Sequence, residues 1–288
     1  MVLESLTAGK ESDRSMKELF LYGVLYASIA VILGLWIFHD QASLIMVFLT
    51  VFAAIPLMYT SIKSEERKSE VILEEKRLLK FHSKAITFFM ALFLGILIAF
   101  VIWYSLLPSD QVESLFSAQI STIKNINSNA VTNQFSTGDL IGSKIFIKIF
   151  NNNVKVLIFC LFFSFFYGAG AIFILTWNAS VIAGAAGAYI RNGLSTAAAA
   201  VGLERVSLYF GLFTIGVLRY LTHGIFEIFA YFAGGLAGGI ISVAVIHHEF
   251  YTGKFQRIIR DVSALMVLAL ILLIIGAIVE VYITPAIF

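Results

Sequence analysis

The stretch Leu208–Ile246, LYFGLFTIGVLRYLTHGIFEIFAYFAGGLAGGIISVAVI, decides the fold. It is nearly all apolar, yet it carries Arg219, His223 and Glu227, followed by the small residues Gly234, Gly235, Ala237, Gly238 and Gly239. An ionisable side chain is costly in lipid, so one inside an apolar stretch marks a functional site by default. Glycines four apart, Gly234 with Gly238 and Gly235 with Gly239, let two helix backbones approach closely. A polar site held by a tightly packed membrane helix is the first expectation. The glycine after His223 breaks the pattern, so the stretch reads as two spans, Leu208–Leu221 and Ile225–Ile246. They form a hairpin hinged at His223-Gly224, with the shorter first span either crossing fully or re-entering.

Composition extends this reading to the whole chain. Of 288 residues, 59% are hydrophobic and 13% charged, about half the charge of an ordinary soluble domain; mean hydropathy is +0.91. Several apolar runs reach the roughly 20 residues that a helix needs to span about 30 Å of hydrocarbon. The short alternating strands of a membrane β-barrel are not visible. The fold class is therefore all-α, a polytopic transmembrane bundle of about seven spans. The single cysteine, Cys160, allows no disulfide within the chain.

Working outward, residues 1–18 are polar and read as frayed. Leu19–Phe38 and Leu44–Tyr59 form a tight hairpin around the turn at residues 39–43. Residues 62–84 mix Lys and Arg with Glu, around an apolar stripe of Val71, Ile72, Leu78 and Leu79; they read as a solvated helix. Ala85–Leu107 is the third span, ended by Pro108. Residues 108–150 read as one long outer loop, finishing in an interfacial helix at Leu140–Phe150 with Lys144 and Lys148 on one side. Asn151-Asn152-Asn153 would cap the fourth span, Val154–Leu175. Gly168, Gly170, Gly184 and Gly187 continue a small-residue surface to Arg191, and Val262–Tyr282 is the last span. Two regions follow: 1–84, an N-terminal hairpin plus charged helix, and 85–288, the main membrane domain.

With the N-terminus inside, residues 1–18, residues 62–84, Arg191, Arg205 and residues 254–260 place most of the 20 Lys and Arg on the cytoplasmic side. Only Lys124, Lys144, Lys148, Lys155 and Arg219 lie opposite. The excess obeys the positive-inside rule, and seven spans leave the C-terminus outside. Because the charges sort by membrane side, the net charge of +2 carries no nucleic-acid reading.

That topology gathers separate polar residues at one outer depth: Asn151, Asn152 and Asn153 at the start of span four, Arg219, His223 and Glu227 at the hinge, and Glu280 and Thr284 near the end of span seven. A carboxylate one turn inside a helix start is favoured by the helix dipole. The cluster reads either as a network locking the hinge or as an ion-coupled or ligand site. His247-His248-Glu249 lacks a second ligand group at metal spacing and reads as a membrane-boundary cluster, so no metal and no cofactor are expected. Asn178-Ala179-Ser180 matches a glycosylation pattern but falls in or beside a span. No phosphate loop, nucleophile elbow or paired-carboxylate signature appears beyond the distant Glu227 and Glu280, so no enzyme activity is expected.

Taken in order, Asn151-Asn152-Asn153, Asn178 with Gly184, His223-Gly224-Ile225-Phe226-Glu227, the Gly234–Gly239 run and Glu280-Val281-Tyr282-Ile283-Thr284-Pro285 resemble the stage II sporulation protein M family. The resemblance covers about residues 85–288; residues 1–84 look like an addition. It implies a fold and a noncatalytic role in the cell membrane. The sporulating members sit in a complex with peptidoglycan-degrading partners. Two functions are then open: a scaffold or assembly subunit bound to membrane or envelope proteins, a second copy of the chain among the options, and a permease-like subunit moving an ion or small solute through the Arg219/His223/Glu227/Glu280 cluster.

Overall fold

The computed structural model describes residues 15–71, 75–131, 138–167, 171–196, 201–246 and 253–288. Among them every regular element is helical. Helix α1 spans Met16–Ile37, opened by a reciprocal capping box between Ser15 and Glu18, which orders the last residues of the segment expected to fray. A short 3-10 turn at His39–Gln41 leads into α2, Ala42–Val71. Next come α3, Glu75–Leu106, α4, Ser109–Leu115, and α5, Ser117–Val131. Then follow α6, Gly138–Tyr167, α7, Ala171–Thr196, and α8, Gly202–Ile246. Helix α9, Gly253–Ile278, passes through a π-helical turn at Val279–Ile283 into the short α10, Thr284–Ile287. Seven of these segments are long and apolar enough to cross a membrane.

The seven spans differ from the sequence expectation in the middle of the chain. Leu208–Ile246 is not a hinged hairpin. It lies within α8, one uninterrupted helix of 45 residues. Glycine costs a helix interior about 1 kcal/mol, and here packing overrides it: Gly224 is buried, close to Ile182 of α7. The place of the lost span is taken by α7, an Ala- and Gly-rich helix that the sequence presents as the tail of span four and a small-residue surface running to Arg191. The fourth span shifts toward the N-terminus, to Gly142–Phe165. Asn151-Asn152-Asn153 therefore lie inside α6, and neither the interfacial helix nor the asparagine cap exists.

The outer loop is also largely helical. Helices α4 and α5 dip into the bundle and return. Phe116 at their junction is fully buried, edge-on to Phe100 and Tyr104 of α3 with ring centroids 6.3 and 4.9 Å away. Gln119, also fully buried, donates to Ser180 Oγ (3.0 Å) and accepts from Ser43 Oγ (3.1 Å). Ser180 lies about 16 Å along α7 from Arg191 at about 1.5 Å per residue. Arg191 marks the rim, donating to the carbonyls of Leu107 (2.7 Å) and Tyr104 (3.3 Å) and to Ser109 Oγ (2.6 Å). Arg191 thus sits at the Ser109 end of the bundle, opposite to its sequence assignment.

Close backbone approach holds the spans together. A side chain on Gly23 of α1 would strike the Leu92 carbonyl of α3, and one on Gly95 would strike that of Phe20. Trp103 Nε1 donates to Ser28 Oγ at 3.1 Å, so α1 and α3 run parallel. The N-terminal helices share one core with α3 and α7. Helices α6 and α8 are also parallel, with Leu157 against Gly234 and the Leu161 carbonyl against Gly238. Gly239 is also buried. Helix α7 runs antiparallel to α8, from Ala171 at Gly235 to Gly193 at Leu212. The side chains of the charged stretch 62–84, together with Gly168, Gly170 and His247-His248-Glu249, lie outside the described residues.

Candidate functional site

Helix α6 presents one face to the protein. At about 100° per residue, Asn153, Leu157, Cys160 and Ser164 fall on one side, and all four are buried. Asn153 faces α8, and its Nδ2 donates to Glu227 Oε1 at 2.5 Å. The carboxylate needs this partner, since an unpaired charge in an apolar surround costs far more than a neutral polar group. Gly276 of α9 makes room for it, because a side chain there would meet Glu227 Cγ and Phe226 Cβ.

Glu280 comes from the π-helical turn that follows α9. Its carboxyl is close enough to that of Glu227 for the two to interact electrostatically. Tyr231, one turn further along α8 and only 3% exposed, lies beside the pair. On the other side of Glu227, His223 Nδ1 lies 3.4 Å from Thr284 Oγ1, and Thr284 is buried. π-helical turns insert one residue into a helix and recur at functional sites; this one sets Glu280 and Thr284 toward α8.

The structure brings together Asn153, His223, Glu227, Glu280 and Thr284 from the sequence cluster and leaves three members out. Asn151 and Asn152 are exposed on the opposite side of α6. Arg219 lies two turns from Glu227 on a partly buried face of α8, and no ion pair joins it to either carboxyl among the described residues. Tyr231 and Gly276 are additions. Tyr231 was recoverable by continuing the four-residue spacing of Arg219, His223 and Glu227 one step; Gly276 carried no signal in an apolar helix.

The premise behind the cluster's expected depth does not hold. The cluster was expected at the outer mouth, on the assumption that Asn153 begins a span. Asn153 instead lies halfway along the span Gly142–Phe165. The site is a pair of carboxyls, one from α8 and one from the turn after α9, with an amide from α6 donating to the first. Such a constellation can hold a cation or proton, or lock three helices in register. No group of three His, Cys, Asp or Glu among the described residues is arranged to hold a metal ion.

The profile of one protein family, described as Stage II sporulation protein M, matches residues 85–285, well over half of the chain. It begins within α3 and ends in α10, so it takes in every residue of the cluster, while α1 and α2 precede it. Neither the curated proteins nor the solved structures contain a match.

Proposed function

The chain belongs to the stage II sporulation protein M family, and from that premise we propose that it is a noncatalytic scaffold of a membrane complex. The observation that carries the reading is the way the bundle is closed. Glycine seams bring α1 onto α3 and α6 onto α8 at backbone contact, the close approach that small residues permit between membrane helices. The segment 109–131 is clamped into that framework by Arg191, Gln119 and the hydrogen bond from Ser114 Oγ to the His39 carbonyl. A static platform with an ordered outer segment suits holding partners in place. In this reading the N-terminus is cytoplasmic, the C-terminus lies outside, and the Asn153–Glu227 contact fixes helix register.

Affinity purification from native membranes in mild detergent, with mass spectrometry, tests it. Wild-type protein should bring down a stoichiometric partner. Replacement of residues 109–131 by a flexible linker should release that partner. A chain that purifies alone in both forms counts against the scaffold.

One observation favours a second reading. Two carboxyls within apolar spanning segments, with no Lys or Arg paired to either among the described residues, are how ion-coupled membrane proteins build sites. In liposomes, selective cation or proton flux that disappears in Glu227→Gln would establish this role and displace the scaffold-only reading.

A further inference from the structure

Helix α6 is the least buried of the seven spans. Only 17% of it is enclosed by the rest of the chain, against 67% for α8. Its outward face should therefore be the most lipid-like in the molecule, and it is not. Lys144, Lys148, Asn151, Asn152 and Lys155 are all exposed. At about 100° per residue they share one face of the helix, opposite the buried Asn153 and Leu157. Further along, the same face turns apolar, with Ile158, Phe159 and Phe162 each more than half exposed.

The energetics disfavour bare lipid as the occupant. Lys155 lies just past the midpoint of the span Gly142–Phe165. An ammonium there is costly in hydrocarbon and ordinarily faces protein or water. Lys144 and Lys148 can reach the headgroups by extending their stems; Lys155 and the two asparagines beside it sit too deep. No described residue pairs with any of the three lysines. A second copy presenting the same face would set lysine against lysine.

We propose that this face of α6 is the docking surface for a membrane-spanning helix of a different protein, one bearing a carboxylate at the depth of Lys155. The partner helix is polar and acidic along its half opposite Lys144–Lys155, and apolar opposite Ile158–Phe162. A buried ammonium–carboxylate pair in that setting supplies orientation and partner choice. The inference rests on the scaffold reading and names the chemistry of the partner.

The test uses the full chain in native membranes. A photo-crosslinking amino acid is placed at Asn152, at Ile158 and, as a control on another exposed face, at Val267. The expected adducts from Asn152 and Ile158 contain one spanning segment with an Asp or Glu, absent from the Val267 sample. Lys155→Glu should lower the yield from Asn152 by about tenfold or more, and Lys155→Arg should keep it. Changing the partner's carboxylate to Lys should restore the yield in the Lys155→Glu chain. Lys155 is exposed, so an unchanged melting temperature in detergent serves as the folding control. Adducts to lipid alone, adducts to a second copy of this chain alone, or a yield indifferent to Lys155→Glu would each overturn the proposal. So would ready reaction of Lys155→Cys with a membrane-impermeant thiol reagent, which would mark the face as a water-filled cleft. A stable complex that cross-links only through other faces would overturn this surface and leave the scaffold standing; no complex at all removes both.

Discussion

Asn153 gives its amide N–H to a carboxyl that has few alternatives. Removing a donor from a buried polar partner costs the desolvation of the group left behind, about 1–3 kcal/mol and more if it is charged. Asn153→Leu should therefore lower the stability of the detergent-solubilised protein by at least that much. Glu227→Gln, whose amide oxygen can still accept from Asn153, should cost less. Thermal unfolding of the two variants decides it, and the reverse order would show that the contact is incidental. Glycines permit a second comparison. A methyl at Gly238 would run into the Leu161 carbonyl, whereas one at Gly211 meets nothing within 4 Å. Overpacking costs about 1–3 kcal/mol, so Gly238→Ala should destabilise. Gly211→Ala should be neutral, or stabilising by up to about 1 kcal/mol through helix propensity. At this scale the sequence was partly legible. His223, Glu227 and Glu280 stood out as ionisable residues in apolar runs, but the hinge expected at Gly224 hid that His223 and Glu227 share one face of a continuous helix. Which of three consecutive asparagines turns inward was not legible, because asparagine is as good a cap as it is a buried donor.

Apolar length finds a helix of Leu, Ile and Phe without difficulty, and α1, α2, α3 and α9 were all read near their true positions. Two other kinds of element escaped. Helix α7 hides its hydrophobicity in Ala and Gly, whose small side chains suit the crowded centre of the bundle: Ala179, Ala183, Ala186 and Ile190 are fully buried. Helices α4 and α5 are too polar to score as membrane elements; Gln119 is tolerated there because Ser43 and Ser180 satisfy it. Both were settled by contacts from distant parts of the chain. Arg191 is the test of how the second pair is held. It caps α3 by bonding carbonyls at its C-terminus, where a cation also meets the negative end of the helix dipole. Arg191→Ala should speed amide hydrogen exchange across residues 107–116 by loosening the rim, while residues 153–165 of α6 exchange as before. Equal acceleration in both regions would mean that Arg191 supports the whole fold.

The length of α8 constrains how the whole molecule sits in the bilayer. Its 45 residues extend about 68 Å at about 1.5 Å per residue, roughly twice the hydrocarbon thickness of about 30 Å. The excess must emerge, and the packing says where. Helix α7 meets α8 at Leu212, against Gly193; toward the start of α8, Leu203 is 87% exposed and Phe210 61%. That projecting end lies on the Arg191 side, with Asp110 of α4. Residues 254–260, at the start of α9, lie at the other end with Lys254, Arg257 and Arg260, where basic residues mark the cytoplasmic face. Cysteines introduced at Leu203 and Asp110 should therefore react with a membrane-impermeant thiol reagent from the outer side, and one at Arg257 only from the cytoplasmic side. A cysteine at Leu218, half exposed on the same helix, should resist both because lipid covers it. Cys160 is buried, so the native thiol adds little background. Reaction at Leu218 as fast as at Leu203 would place the membrane elsewhere along α8. Labelling of Asp110 and Arg257 from one side would overturn the odd number of crossings itself.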